Sequence, residues 1–270
     1  MAHDTSRDVG TLPMADRDAA HLPGHWLLAR LGKRVLRPGG RELTDKMLTD
    51  AAVTDADVVE LAPGLGKTAR SILGRRPRSY VGVEADERAV ELTRRAVGDD
   101  GHVVRGDASE TGLPDWSADV VIGEAMLTMQ TDPRKAEIAS EAFRVLRPGG
   151  RYAIHELALA PDGVADSVKT DIRTALARAI KVNARPLTAA EWTALLTAVG
   201  FDVSTTSFAP MALLEPRRLI ADEGPARTLR FVINVLRDAD ARSRVRGMRA
   251  TFRKHRKNLA AVSLIAVKPR

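Results

Sequence analysis

The sequence predicts a doubly wound α/β fold, and two observations carry that expectation. The first is the stretch Asp57 to Thr68, where the β-branched Val58 and Val59 stop at an acid, Glu60, and a glycine-containing turn follows. Lys67 to Leu73 can then start a helix. Strand, tight turn and helix in that order open such a domain, whose ligand sits beyond the carboxyl end of the strand. The second observation is recurrence. Strands reading Ser79 to Val83 and His102 to Gly106 end at Glu84 and Asp107, and the three acids are 24 and 23 residues apart. That spacing is about one strand-plus-helix unit each.

Gly64 and Gly66 let the backbone turn tightly and come close to a ligand, because neither carries a Cβ. Glu60 sets a carboxylate where a nucleotide phosphate would be repelled. A phosphate-binding P-loop, suggested by Gly66-Lys67-Thr68, needs a glycine five residues before Gly66, where Leu61 stands. A dinucleotide fold would place a glycine at Ala69, and alanine there does not exclude it.

On these residues the chain resembles the class I S-adenosylmethionine-dependent methyltransferases. Their first motif, acid-x-Gly-x-Gly-x-Gly, corresponds to Glu60-x-Ala62-x-Gly64-x-Gly66, with Ala62 in place of the first glycine. The resemblance implies a mostly parallel seven-stranded sheet and S-adenosylmethionine as cofactor, with S-adenosylhomocysteine as product. It also implies that Glu60, Glu84 and Asp107 face the methionyl part, the ribose and the adenine. Acids in these places can accept from ribose hydroxyls and from the adenine amino group. Ala62, Gly64, Gly66, Ala85, Ala108 and Glu124 complete the expected cofactor set. Singly, each acid could equally be a helix N-cap or a solvated loop residue.

Composition sets outer bounds. At 270 residues with 44% hydrophobic residues, the chain can bury a substantial single core. No uninterrupted apolar run reaches bilayer length, and the polar start of the chain shows no secretion signal, so a cytoplasmic location is expected. Without cysteine, disulfides, thiolate metal sites and cysteine nucleophiles are excluded, and arsenite methylation is disfavoured. No His/Asp/Glu cluster with ligand spacing calls for a metal. Residues 241–270 hold ten Lys/Arg and no acid, so residues 1–240 carry −3 of the total +7. The basic character therefore belongs to the C-terminus, where it could attract nucleic acid, anionic lipid or an acidic substrate.

Taken in order, residues 1–20 are expected to be a flexible N-terminus and 21–270 one methyltransferase domain. His21 to Arg34 and Glu42 to Ala52 can form helices, a cover over the cofactor spanning 21–52 that could bring His25 near the methyl group. A surface or capping histidine is the competing reading. The heptapeptide Val-Leu-Arg-Pro-Gly-Gly-Arg occurs at 35–41 and again at 145–151, and reads as reuse of one turn rather than a duplicated domain. Asp119 to Gly123 forms the fourth strand. Glu124, just beyond it, could bind cofactor, accept a substrate proton or cap the next segment. The Gly-Glu-Ala-Met sequence there differs from the Asn/Asp-Pro-Pro-Tyr of enzymes that methylate DNA adenine or glutamine, which favours a small-molecule acceptor.

Pro133 to Val145 is a helix and Arg151 to Leu157 the fifth strand. His155, near its carboxyl end with Glu156, is the candidate general base, set against a plain core histidine. Val164 to Val182 and Thr188 to Val199 are helices, the second opened by the capping box Thr188/Glu191. Phe201 to Phe208 and Ala261 to Val267 are the last two strands. Helical insertions at 161–187 and 211–258 are expected to carry acceptor specificity, the second as a lid with a solvated basic face (Arg242 to Lys257) or a homodimer contact. Scarce aromatics weigh against nucleic acid. The function implied is methyl transfer to an O, N or C nucleophile of a small apolar or aromatic molecule. The alternatives are a non-catalytic S-adenosylmethionine-binding protein and a nucleic-acid methyltransferase guided by the basic segment.

Overall fold

The computed structural model describes residues 12–14 and 16–270. Most of the flexible terminus expected over 1–20 lies outside them, but its described end is packed: Ala19 and Leu22 are buried. Arg244 donates to the carbonyls of Ala19, Ala20 and Leu22 at 2.7 to 3.1 Å.

Strands β1 (Asp57–Leu61), β2 (Ser79–Glu84), β3 (His102–Arg105), β4 (Ala118–Glu124) and β5 (Leu146–Leu159) are parallel. A two-residue strand β6 (Leu187–Thr188) extends the far end of β5. The last strands, β7 (Asp202–Pro210) and β8 (Leu259–Val267), give the order β3-β2-β1-β4-β5-β8-β7, and β8 is antiparallel to both neighbours. The sheet thus has the seven expected strands plus β6. That strand escaped reading because two residues carry no periodicity.

Both faces are covered. Helices α2 (Gly40–Asp50), α3 (Lys67–Leu73) and α4 (Glu87–Val97) bury Met47, Leu48, Ile72 and Val90 against Val58, Val120 and Ile122. On the other face, α5 (Asp132–Val145) and α7 (Ala189–Val199) bury Ile138, Trp192 and Leu196 against Val59, Val121 and Tyr152. Alternate strand residues feed the two clusters, as a sheet buried on both sides requires.

A third apolar cluster lies beyond the carboxyl end of β5, and it positions the site. It joins α1 (Gly24–Arg30), α6 (Asp166–Ile180), α8 (Pro216–Glu223), α9 (Pro225–Arg237) and α10 (Ala239–Lys254) through Leu28, Leu176, Leu219, Phe231 and Met248. The helix expected over His21 to Arg34 is shorter than that. It closes at Leu31, and Gly32 adopts φ +102°. The residues that follow anchor the cover to the 211–258 segment. Glu223 accepts from the backbone N–H groups of Arg34 and Val35 at 2.7 and 2.8 Å, and the fully buried Lys33 lies 3.7 Å away. The basic face is only partly solvated: Arg249 and Arg253 pair with Glu215, while Arg244 holds the N-terminal segment.

The two copies of the repeated heptapeptide share a turn and diverge in use. Gly39 and Gly149 both adopt left-handed φ, +73° and +79°. Arg147 pairs with Asp57 and Asp119 at the amino ends of β1 and β4, whereas Arg37 reaches Glu124 at the carboxyl end of β4.

Candidate active site

A cavity of about 340 Å³ opens between the carboxyl edge of the sheet and the third cluster. Its floor is built by strand ends and by the turn after β1. Glu60, Ala62, Gly64, Glu84 and Glu124 line it. Ala62 and Ala125, which follow β1 and β4, hold left-handed φ of +52° and +55°, so the backbone is strained where both chains turn under the cavity.

Each carboxylate is held differently. Glu60 is buried and accepts a 2.7 Å hydrogen bond from the Tyr80 hydroxyl. Burial pushes its carboxyl up to about 8, although the Tyr80 bond works in the opposite direction. Glu84 accepts from the N–H groups of Gly64 and Asp86 at 3.0 and 3.1 Å, which ties the glycine turn to the end of β2. Its pKa is also raised by burial. Each oxygen of Glu84 keeps acceptor capacity for a further donor.

Glu124 is the centre of a buried network. Burial alone would raise its carboxyl, but the Arg37 guanidinium at 2.9 Å and the His155 imidazole outweigh it and hold it at about 2. Thr44 and Thr68 also donate to Glu124, and Arg37 donates to the Thr68 hydroxyl at 2.9 Å. The network therefore clamps the N-terminal cover to β4 and α3.

His155 is not where a base for the acceptor must stand. It is 0% exposed and does not line the cavity. Its Nδ1 donates to Glu124 at 2.8 Å, and its Nε2 is buried without a partner. The strand register explains the placement: β5 runs beside β4 so that His155 faces Glu124 across the ladder. His155 thus lies in the core of the sheet, in contact with Glu124.

The neighbouring Glu156, expected with His155 at the carboxyl end of β5, lines the cavity and is central to the geometry. Fully buried, it accepts from the N–H groups of Met126, Leu127 and Thr128 at 2.7 to 3.0 Å and from the Thr128 hydroxyl at 2.6 Å. It shapes the loop after β4, whose Met126 and Met129 line the cavity. Arg37 and Tyr80 were missed, one within a turn repeat and the other within an ordinary strand. Only the pairing of distant segments reveals them.

Other expected residues stand apart. Asp107 is exposed, accepts from the Ser109 N–H and hydroxyl, and pairs with Arg134 at 2.6 Å. Neither it nor Ala85 nor Ala108 lines the cavity, so two of the three strand-end acids, not all three, share that rim. β3 ends at Arg105, Gly106 still donates to the Glu84 carbonyl at 3.0 Å, and Asp107 then turns back to bridge Glu110. Gly66 also faces inward, where an added Cβ would lie 2.4 Å from the Ala96 Cβ. At Gly64, in contrast, an added Cβ meets nothing nearer than 3.9 Å.

The roof comes from the three irregular segments. Trp26 and Leu28 descend from α1, Leu176 and Ile180 from α6, Met211 and Leu213 precede α8, and Met248 and Phe252 lie on α10. Four basic groups, His25, Arg34, Arg37 and Lys67, face the same space. Burial lowers His25 to about 4 and Lys67 to about 8, and Arg34, Arg70 and Arg227 add to the effect on Lys67.

A glycine turn after β1, carboxylates at the ends of β1, β2 and β4, and an antiparallel β8 inserted between β5 and β7 define the class I S-adenosylmethionine-dependent methyltransferases, and the chain belongs to that family. Residues 59–154 match the methyltransferase domain family. An uncharacterized protein of Haemophilus influenzae is 34% identical over 235 residues, spanning 85% of this chain and 91% of that one. A demethylmenaquinone methyltransferase of Clavibacter sepedonicus is 33% identical over 113 residues, 41% of this chain and 45% of its own. Among solved structures, phosphoethanolamine N-methyltransferase 2 of Haemonchus contortus, with phosphomonomethylethanolamine and S-adenosylhomocysteine, superposes with a TM-score of 0.69 at 16% identity. That match covers 97% of this chain and 60% of the other, and it speaks to the fold alone. The family's cofactor suits the residues present. The buried carboxylates suit a ligand with a sulfonium and an amino group, and the open space at Gly64 leaves backbone accessible to it.

Proposed function

We propose that the protein methylates an O, N or C nucleophile of a small apolar or aromatic molecule held under the roof of this cavity. The carrying observation is the roof itself: Trp26, Leu28, Leu176, Ile180, Met211, Leu213, Met248 and Phe252 converge from three segments outside the common sheet. An acceptor bound there exchanges water for apolar contact. The relative named as a demethylmenaquinone methyltransferase points the same way.

S-adenosylmethionine, when bound, supplies an electrophilic methyl group. Glu60 is assigned to its cationic methionyl end, Lys67 to its carboxylate, Glu84 to the ribose hydroxyls, and Gly64 and Ala62 to the floor beneath it. Glu124, kept ionised by Arg37 and oriented by His155, fixes the junction between floor and cover. Rate then comes chiefly from holding donor and acceptor in line. His25 takes the place of His155 as the imidazole beside the acceptor. It lines the cavity, and burial, which lowers it to about 4, keeps it a neutral hydrogen-bond acceptor for the nucleophile rather than a strong base.

Calorimetry with S-adenosylmethionine, S-adenosylhomocysteine, ATP and NAD, followed by turnover of phenols, quinols and heterocycles, tests this reading. Binding of the first two ligands and methylation of an apolar acceptor are expected. Turnover confined to polar amines or to nucleic acid would overturn the acceptor assignment. His25→Ala should leave cofactor affinity unchanged and slow turnover by about tenfold. An unchanged rate would remove His25 from the chemistry.

A further inference from the structure

The outward face of α9 carries apolar side chains that nothing among the described residues covers. Leu229 and Leu236 are 62% and 56% exposed, and Val232 and Ile233 between them are exposed as well. At helical spacing these four form one stripe. Single exposed leucines are ordinary on a protein surface, but four apolar side chains in one stripe mark a contact surface. The helix does not need that stripe for its own seat. Its opposite face buries Phe231, packs Val235 into the third cluster, and lets the Asn234 Nδ2 donate to the Leu31 carbonyl at 3.0 Å. α9 is anchored by one apolar face and presents a second.

Charge selects the partner. Residues 225–237 include Arg227, Arg230 and Arg237 and no acid. Arg230 and Arg237 lie roughly 80–100° around the helix from Leu229, along one margin of the stripe. Across 216–258, thirteen Lys/Arg stand against four acids. Asp222 and Glu223 are engaged by Arg218 and by the backbone at 34 and 35, and Asp238 caps α10, which leaves Asp240, on α10, as the one exposed acid against these cations. A second copy packed face to face would set these arginines against their own images, with no carboxylate on the helix to offset them. An anionic lipid surface complements both features, with acyl chains for the stripe and headgroups for the arginines.

We propose that α9 docks the protein on an anionic membrane surface, lying in the plane of the interface. The helix has 13 residues, and no helix among the described residues is long and apolar enough to cross a bilayer. The proposal does not depend on which acceptor is methylated. α10, next in the same segment, supplies Met248 and Phe252 to the cavity, so the docking helix and the cavity roof share one helical layer.

The test is flotation of the full chain with vesicles of phosphatidylcholine alone and of equal parts phosphatidylcholine and phosphatidylglycerol, with light scattering for oligomeric state. Binding to the anionic vesicles only is expected. Leu229→Gln/Leu236→Gln should weaken it by about tenfold or more, because two apolar side chains no longer enter the acyl boundary. Arg237→Ala should weaken it by roughly fivefold. These side chains lie on the uncovered face, so the melting temperature should stay at the wild-type value, which separates failed docking from failed folding. Absence of binding to either vesicle would overturn the proposal. So would binding that survives the double substitution, which would assign it to general positive charge, or a dimer that the same substitutions dissociate, which would assign the stripe to a second copy.

Discussion

S-adenosylmethionine binding should tighten by well over tenfold between pH 6 and pH 8, and Glu60 is the reason. Burial raises its carboxyl to about 8, the Tyr80 hydroxyl and Arg37 oppose that rise, and the nearby Glu124 and Glu84 add to it. The free protein at neutral pH therefore holds Glu60 largely protonated, while a cationic ligand end needs it ionised. Each pH unit below the pKa costs about 1.4 kcal/mol of binding, so pH 6 costs about 2.7 kcal/mol against the fully ionised form. Affinity should climb close to tenfold per unit toward pH 8 and then fall, as Lys67, which burial lowers to about 8, loses the charge assigned to the ligand's carboxylate. Calorimetry in two buffers of different ionisation enthalpy should show release of one proton from the protein. Glu60→Gln should bind more weakly and lose the climb, which separates it from titration of the ligand's own amino group. The same pH slope in Glu60→Gln, or binding without proton release, would refute the reasoning. Stability has the opposite sign. The folded carboxyl retains a proton that the unfolded chain gives up above its ordinary value of 4.5. That contribution is therefore present at acid pH and is lost as pH rises toward 8.

Four other outcomes follow from local geometry. Ala62→Gly should raise stability by about 0.5–1 kcal/mol in thermal unfolding, since its left-handed backbone costs an alanine more than a glycine. The two turn glycines should part company: Gly66→Ala should cost about 1–3 kcal/mol in urea unfolding because its Cβ would overlap that of Ala96, whereas Gly64→Ala, which meets open space and is strained only by its left-handed φ of +57°, should cost about 1 kcal/mol and bind cofactor poorly. Arg37→Met should destabilise by about 3–5 kcal/mol, read by denaturant titration, because Glu124 is left buried without its counter-charge. Glu156→Ala strands three backbone donors, so hydrogen exchange should show residues 126–128 losing protection at a cost of several kcal/mol.

Much of the frame was legible because it is local. The β-branched runs at Val58 and Val120, the capping box at Thr188 and the glycine turn after Glu60 declare themselves within a few residues. So did the importance of segments 21–52, 161–187 and 211–258, although nothing in them named a side chain that would face the cavity. The His155 expectation went astray for a physical reason. A strand end places alternate residues toward opposite sides, and sequence alone did not show that His155 would meet Glu124 while Glu156 turned to the loop after β4.

The sequence by itself determined the order of strands and helices, the left-handed turns, and the acids at the ends of β1, β2 and β4, because propensity and turn chemistry act over a few neighbours. Only the tertiary structure decided which acids share a cavity, that Arg37 pairs with Glu124 rather than with the acids its twin Arg147 uses, and that His25 lines the cavity. Those outcomes depend on register and packing between segments as distant in the chain as Arg37 and Glu124, or Leu31 and Asn234. They depend equally on the burial that turns a solvated carboxylate into a proton-binding one.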